Sequence, residues 1–449
     1  MKIKNLILSL GILLTAGCSD LLDPKPVDRI INDLVVTDAS SARVALTSAY
    51  RGLASLGAPK IVAGGLTADN LKHNGTFTQY LEISNKDMSA SNGSASALWG
   101  AIYSITYTVN FVLEALTELD NVDPVTRDEL VATGRLLRGY AYFVGVTTYG
   151  GLPLVVDTDI ETNRNLPRST LEETLVFIED DLVFSLDKIP ELSFNSGELS
   201  NGAVKAALAR FYIYLEDWDK AENYATEVIN GEGTPSYSLE EDFENALSDF
   251  SKESILEIVY TANDNPGTST DFSISNLFVT RREIIPSNEI VEALQQRGGA
   301  RVIMIEFDRL NSRGADNGWT ITRYGPFDNV PLFRLAEMYL IRAEARAQKN
   351  NVNGVNSAQS DLNVIRARAG VDLIGQSNQS SMLLAIEEER QVELAFEGHR
   401  WYDLKRTGRA QAVMERVTNN WSEKDELWPV PLREILNNPA LKGAQNPGY

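Results

Sequence analysis

Cysteine and histidine are almost absent from this chain of 449 residues. The one cysteine, Cys18, excludes an intrachain disulfide and any zinc site with two or more thiolate ligands. The two histidines, His73 and His399, exclude His-rich metal sites and multi-histidine chemistry. Cations are in deficit: 41 Lys and Arg face 62 Asp and Glu, for a formal net charge of −21. That balance excludes nucleic acid or another polyanion as the main partner, because phosphate binding needs clustered Lys and Arg. A transmembrane run is missing too. A spanning helix needs about 20 apolar residues, and the N-terminal run Leu6 to Ala16 has eleven. With 43% apolar residues, disorder along most of the chain is excluded as well.

What is present begins with that short apolar run. Lys2 and Lys4 precede it, and Thr15-Ala16-Gly17-Cys18 follows. A basic start, a short apolar segment and small residues before a cut form a secretory signal. A cysteine directly after the small residues looks like a lipoprotein signal, with cleavage before Cys18 and lipid attachment on it. Residues 1–17 are then a signal peptide, and residues 18–40, with Pro24 and Pro26, a leader from the lipid. Residues 41–449 read as a single domain tethered to a membrane at its N-terminus.

Helical periodicity dominates that domain. Apolar spacing predicts helices over about 41–56, 98–149, 171–230 and 331–416. Asp123-Pro124 opens one and Gly150-Gly151 closes it; Ser169 or Thr170 caps the next. Residues 200–230 and 331–369 each read as a helical hairpin. Small residues such as Ala206, Ala207, Ala209, Ala336, Ala343 and Ala347 let two helices approach, in a tetratricopeptide-like pattern with Tyr212, Trp218 and Tyr339. Residues 380–397 and 400–416 are two further helices, divided at Gly398. Residues 57–97 and 232–330 are rich in Gly, Asn, Ser and Pro and read as irregular, with one strand-like run at Ile255 to Tyr260.

Ordered motifs then converge on a family. Residues 390–408, RQVELAFEGHRWYDLKRTG, resemble closely the signature helix of the SusD/RagB family of surface nutrient-binding lipoproteins. CSDLLDP after the lipid cysteine, LWGAIYSITYTVN, LLRGYAYFVGVTTYGGLPLV, PLFRLAEMYLIRAEA, DLNVIRARAG and the ending WPVPLREILNNPALKGAQNPGY resemble other family segments, in the family's order. The resemblance implies an all-α, right-handed superhelix of tetratricopeptide-like hairpins, with a loop-rich part that holds the ligand. It implies a lipid-anchored place on the outer-membrane surface of a Gram-negative bacterium. The implied partner is a SusC-like TonB-dependent transporter that the protein caps as a lid. The implied ligand is a glycan, in some members a peptide. It implies a binding protein, not an enzyme, with no cofactor.

The charged residues of the signature read as architecture. Arg390 with Glu393, and Glu397 with Arg400, are three apart and can meet on a helix face. Lys405 and Arg406 suit a helix C-terminus, while Trp401 and Leu404 read as core anchors. Glu387, Glu388 and Glu389 read as a solvated run, and His399 as a helix-surface residue. Trp99 and Trp218 fall on helical stripes and read as core. Asn263, Asp264 and Asn265 carry oxygen donors that suit calcium, but read better as a polar turn; no metal site is expected.

Sugar binding asks for aromatic faces that stack on pyranose C–H groups, beside Asp, Asn or Arg that bond hydroxyls. Two irregular regions offer such mixtures: Asp69, Asn70, His73, Phe77 and Tyr80, then Phe272, Phe278, Trp319, Arg323 and Tyr324. Trp319 is the sharpest candidate, because Asp316-Asn317-Gly318 reads as an exposed turn displaying it. Glycan capture, with a neutral glycan favoured by the acidic charge, is the leading expectation. A peptide ligand, a protein-interaction scaffold and a glycoside hydrolase remain as alternatives. The last would need two carboxylates about 5–10 Å apart around a sugar.

Overall fold

The computed structural model describes residues 35–190, 197–232, 236–260, 274–310 and 314–449. Cys18, Phe272 and the Asn263-Asp264-Asn265 turn lie outside the described residues. The first helix, α1 (Ala39–Gly65), starts where Asp38 and Ser41 cap each other: the Asp38 carboxylate accepts from the Ser41 amide at 2.8 Å. It then runs nine residues beyond the expected end, through Pro59, and is buried from Leu56 to Gly65. Glycine marks close packing in this stretch. A Cβ on Gly64 would lie 2.1 Å from the Gly398 carbonyl oxygen. The Gly and Pro that read as a loop thus serve an approach between two backbones.

Strand β1 (Leu71–His73) and helix α2 (Thr78–Asn85) follow, then α3 (Gly93–Thr117), capped by Asn92. Helix α4 (Pro124–Tyr149) matches its expected bounds, with the Asp123 side chain on the Thr126 amide and Pro124 at the first position. Thr170 and Glu173 form a capping box at the start of α5 (Leu171–Ser185). The first expected hairpin is α6 (Asn201–Tyr214) and α7 (Trp218–Asn230), joined at Leu215–Asp217. Gly231, with φ of 70°, closes α7.

The middle of the chain carries β2 (Ser254–Ile258), β3 (Ile284–Pro286), α8 (Asn288–Arg297), β4 (Ile305–Phe307), β5 (Trp319–Ile321) and β6 (Val330–Arg334). The strand β6 corrects the expectation that residues 331–334 begin a helix. Its five residues are all buried and the strand pairs with β2, so Val330 and Phe333 there serve a buried two-stranded ladder. Helix α9 (Leu335–Gln348) starts directly after it. Then come α10 (Ala358–Arg368), α11 (Gln379–Glu393), α12 (Arg400–Arg406), α13 (Ala410–Val417) and α14 (Leu432–Asn437). The expected helix over 400–416 is two helices, because Gly408 adopts a φ of 66° between them.

Helices near one another in chain order pack as neighbours: α1 on α3, α3 on α4, α4 on α5, α6 on α7, α7 on α9 and α9 on α10. This is a mostly helical, tetratricopeptide-like architecture. A large apolar core runs through it, and a second cluster around Ala336, Leu340, Ala343, Ala347 and Leu362 fills the α9–α11 end. Three small antiparallel ladders, β1–β3, β2–β6 and β4–β5, lie against the helical stack. No described helix is long and apolar enough to cross a membrane.

Candidate ligand-binding face and the charged core beneath it

The β1–β3 and β4–β5 ladders bring the two sequence-distant candidate regions together. In β1–β3, His73 pairs with Ile284; in β4–β5, Phe307 stands opposite Trp319. The turn before β5 is stitched to β1. Lys72 bonds the Asp316 carboxylate at 2.6 Å. Asn74 accepts from the Asp316 amide at 3.0 Å and donates to the Gly314 carbonyl at 3.2 Å. Asn317 donates to the Pro286 carbonyl, and its Oδ1 accepts from the Trp319 amide. Gly318 has a φ of 78°, and a Cβ there would meet the Phe307 ring at 2.6 Å. Glycine is therefore required both for the turn and for the ring beside it.

The result is a displayed aromatic pair. Phe307 is 49% exposed and Trp319 half-buried, with ring centroids 5.2 Å apart and planes at 63°. Such an edge-on arrangement is a preferred geometry for two aromatic rings. Nearby, the Arg281 guanidinium lies 4.0 Å above the half-buried Phe77 ring. Glu283 fixes that turn by accepting from the Thr76 and Phe77 amides. His73 is half-buried, and burial holds its imidazole below the ordinary value despite Glu283 and Asp316. Its Nε2 has no partner among the described residues.

Other sequence candidates are corrected by burial. Tyr80 and Phe278 are core residues, and Phe278 stacks on the buried Tyr324 at 5.8 Å. The Tyr324 hydroxyl donates to the Phe396 carbonyl. Arg323 is buried over the Tyr324 ring and donates to the Leu247 carbonyl. Asp69 accepts two bonds from Arg400, at 2.7 and 3.0 Å, and Asn70 accepts from Gln391. These side chains are occupied inside the protein and present no surface to a ligand. Phe307, Lys72, Asn74, Asp316 and Arg281 were not among the sequence candidates. Phe307 could be found only from its register opposite Trp319, which the sequence does not print.

Beneath the face lies a charged core centred on α11 and the turn after it. Glu393 is fully buried, with Arg368 at 2.5 Å, Arg301 at 3.1 Å and Arg334 at 3.2 Å. Burial alone would raise its carboxyl; the three guanidinium groups outweigh that and hold it at about 2. Glu253 bonds Arg334 and Arg368; Glu397 bonds Arg334; Glu389 bonds Arg301 and Arg366. The architectural reading of the signature is right, but its expected pairs are not the ones formed. Arg390 meets Asp403 and Arg400 meets Asp69, each on a different element. The expected solvated run is corrected too: only Glu388 is exposed, Glu387 is half-buried against Arg400 and Arg409, and Glu389 is buried. His399 is buried rather than on a helix surface, and desolvation with nearby Lys60 and Arg210 keeps it neutral. Trp401 and Leu404 are buried as expected, as is Trp99; Trp218 is half-buried.

Helical hairpins braced by an internal ion network, with an aromatic pair held out on short strands, define a binding scaffold. Two family models match the chain: one described as the SusD family over residues 307–449, the other as starch-binding associating with outer membrane over residues 33–213. A SusD-like protein P2 of Formosa agariphila is 24% identical over 98% of both chains. A SusD-like protein of Bacteroides ovatus is 23% identical over 90% of this chain and 82% of that one. Among solved structures, a laminarin-binding SusD-like protein superposes with a TM-score of 0.78 at 22% identity, covering 92% of this chain and all of that one. Surface glycan-binding protein A from Bacteroides fluxus gives 0.74 at 22%, over 91% and 99%. The chain belongs to the SusD/RagB family.

Proposed function

We propose that this protein is a surface glycan-binding lipoprotein of the outer membrane. It captures a neutral oligo- or polysaccharide on the β4–β5 face and passes it to a TonB-dependent transporter that it covers as a lid. The observation that carries the reading is the partly exposed Phe307–Trp319 pair, set beside the Gly318 turn and flanked by the Lys72–Asp316 bridge. Flat apolar faces beside fixed polar groups suit a pyranose ring and its hydroxyls. The laminarin-binding and glycan-binding relatives point the same way. The role is binding without catalysis. Lipid on Cys18, ahead of the described residues, supplies the anchor.

The test is calorimetry or affinity electrophoresis across a panel of neutral polysaccharides. Phe307→Ala and Trp319→Ala should each weaken binding several-fold without lowering Tm appreciably, since both side chains are partly exposed. Unchanged affinity in both variants removes the face from the site. Absence of any glycan binding, with binding of peptides, replaces the glycan reading. Recovery of the protein from membranes without a barrel transporter contradicts the lid role.

A further inference from the structure

We propose that the cleft between α7, α9, α11 and α12 is a second saccharide-binding site, with Trp218 as its stacking plane and a neutral hydroxylated ligand as its occupant. The proposal rests on the glycan reading above and adds a place built from other elements than the β4–β5 face. The cleft holds about 780 Å³, within the usual range for small-molecule sites. The sequence builds it by helical spacing. Ser380, Leu383, Glu387 and Arg390 recur along one side of α11, so that a single face of this helix presents apolar, acidic and basic groups to the cleft.

Trp218 opens α7 directly after its Asp217 cap. Part of its ring packs on the core and the rest lines the cleft, and no other described ring stacks on it. Leu383 and Leu384 supply further apolar wall, and Leu384 is 45% exposed.

Charge decides the ligand class. Three carboxylates of the wall are already paired with its three arginines: Glu344 with Arg406 at 2.5 Å, Asp403 with Arg390 at 2.9 Å, and Glu387 with Arg409 at 3.0 Å. Burial would raise the Asp403 carboxyl, but Arg390 and Arg406 hold it below its ordinary value, so this carboxylate stays ionised. The remaining lining charges are Lys405, whose ammonium donates to the Thr147 and Glu426 carbonyls, and the exposed Glu216; a ligand charge set against the three pairs would have to displace a partner, whereas hydroxyl groups need displace none. One donor still lacks a partner. Arg390 lines the cleft, is 4% exposed, and its Nη1 meets no acceptor among the described residues. A buried unmatched donor is costly; Nη1 is shielded from solvent, so a ligand hydroxyl oxygen would satisfy it, without adding charge, once the Arg390 side chain shifts toward the cleft. An aromatic plane, apolar wall, three internal ion pairs and one unmatched donor together form the chemistry of a sugar subsite.

The experiment titrates a panel of neutral oligosaccharides into the full chain by calorimetry. The wild type is compared with the face variant Phe307→Ala/Trp319→Ala and with two cleft variants, Trp218→Ala and Leu384→Arg. The second cleft variant changes an exposed position, so a folding defect in the first does not decide the result. The expected outcome is that the face variant still binds at reduced stoichiometry, while each cleft variant loses about fivefold or more of the remaining affinity. Loss of all binding in the face variant, with both cleft variants unchanged, overturns the cleft and leaves the face reading intact. The reverse pattern supports the cleft and overturns the face. No saccharide binding by the wild type overturns both.

Discussion

Replacing Glu393 by Gln tests whether the charged core holds the fold together. Glu393 is fully buried and faces Arg301, Arg334 and Arg368. Without its charge, Glu253, Glu389 and Glu397 must serve those three together with Arg366. One guanidinium is left buried and uncompensated, which typically costs about 3–5 kcal/mol. The titration gives a second route to the magnitude. A carboxyl held at about 2 in the fold, against 4.5 in an exposed carboxyl, is stabilised by about 3 kcal/mol in its ionised form. The two routes agree. At about 2 cal/mol/K of unfolding entropy per residue, the loss corresponds to a fall in Tm of roughly 3–6 °C.

The sign of the pH dependence follows from a depressed carboxyl. Its contribution is complete above the unfolded value and is lost as pH falls from 4.5 towards 2. The stability gap between wild type and Glu393→Gln should therefore narrow by about 1 kcal/mol between pH 6 and pH 3.5. Urea unfolding followed by circular dichroism, at both pH values, measures it. Adding Arg301→Met should restore the balance, so the double variant should lose less than the sum of the single variants. A gap below about 1 kcal/mol at pH 7, or one indifferent to acid, refutes the reasoning.

Gly64→Ala should destabilise by about 1–3 kcal/mol or more, because its Cβ would lie 2.1 Å from the Gly398 carbonyl oxygen; chemical unfolding reads this directly, and a neutral outcome would mean the two backbones can separate freely. Lys60 is buried, donates to the Glu397 carbonyl, and is held at about 7 by burial, with Arg210 adding to the effect and Glu337 and Glu397 opposing it. The unfolded chain therefore binds a proton that the fold lacks between pH 7 and 10.5, and this group makes wild-type stability rise with pH across that window. Lys60→Met should remove that slope, so its stability relative to wild type should be about 2–3 kcal/mol better at pH 6 than at pH 9. A relative stability indifferent to pH would show that Lys60 keeps one charge state in both forms.

Much of the helical frame was legible because its signals are local. Asp123-Pro124 and Gly150 bound α4, and Thr170 opens α5. The misses lie where a residue answers to a distant partner. Gly57, Pro59, Gly64 and Gly65 look like loop residues, yet they sit in a helix whose buried end packs closely: Gly64 on Gly398, Gly65 on Leu71 and Gly57 on Ile258 and Tyr260. Glu387, Glu388 and Glu389 look alike in sequence, but adjacent helical positions point in different directions. One reaches Arg301 and Arg366, one reaches Arg400 and Arg409, and one reaches water. For the same reason Asp69 and Asn70, which carry sugar-binding chemistry, are occupied by Arg400 and Gln391, both more than 300 positions away along the chain. The turn that carries Trp319 was legible in Asp316-Asn317-Gly318, while the ring opposite it, Phe307, needed the strand register.

The ion network also sharpens the meaning of the acidic composition. Among the described residues, twelve of the 41 cations and thirteen of the 62 acids are buried. Nearly equal numbers of each sign are withdrawn, so burial leaves the acidic excess of the described residues almost unchanged, carried by fewer charges. The cations withdrawn are mostly arginines, the residues best suited to bind phosphate or sulfate groups in a bidentate way. Several of them are held by two or three carboxylates, as Arg334 is by Glu253, Glu393 and Glu397, and cannot turn outward without stranding a buried acid. The exposed surface is thus poorer in anion-binding groups than the composition alone suggests. A polyanionic glycan would meet both a repulsive surface and an interior that cannot release its arginines. The proposed stacking on Phe307 and Trp319 would require neither, because a neutral sugar ring engages aromatic faces whatever the net charge around them.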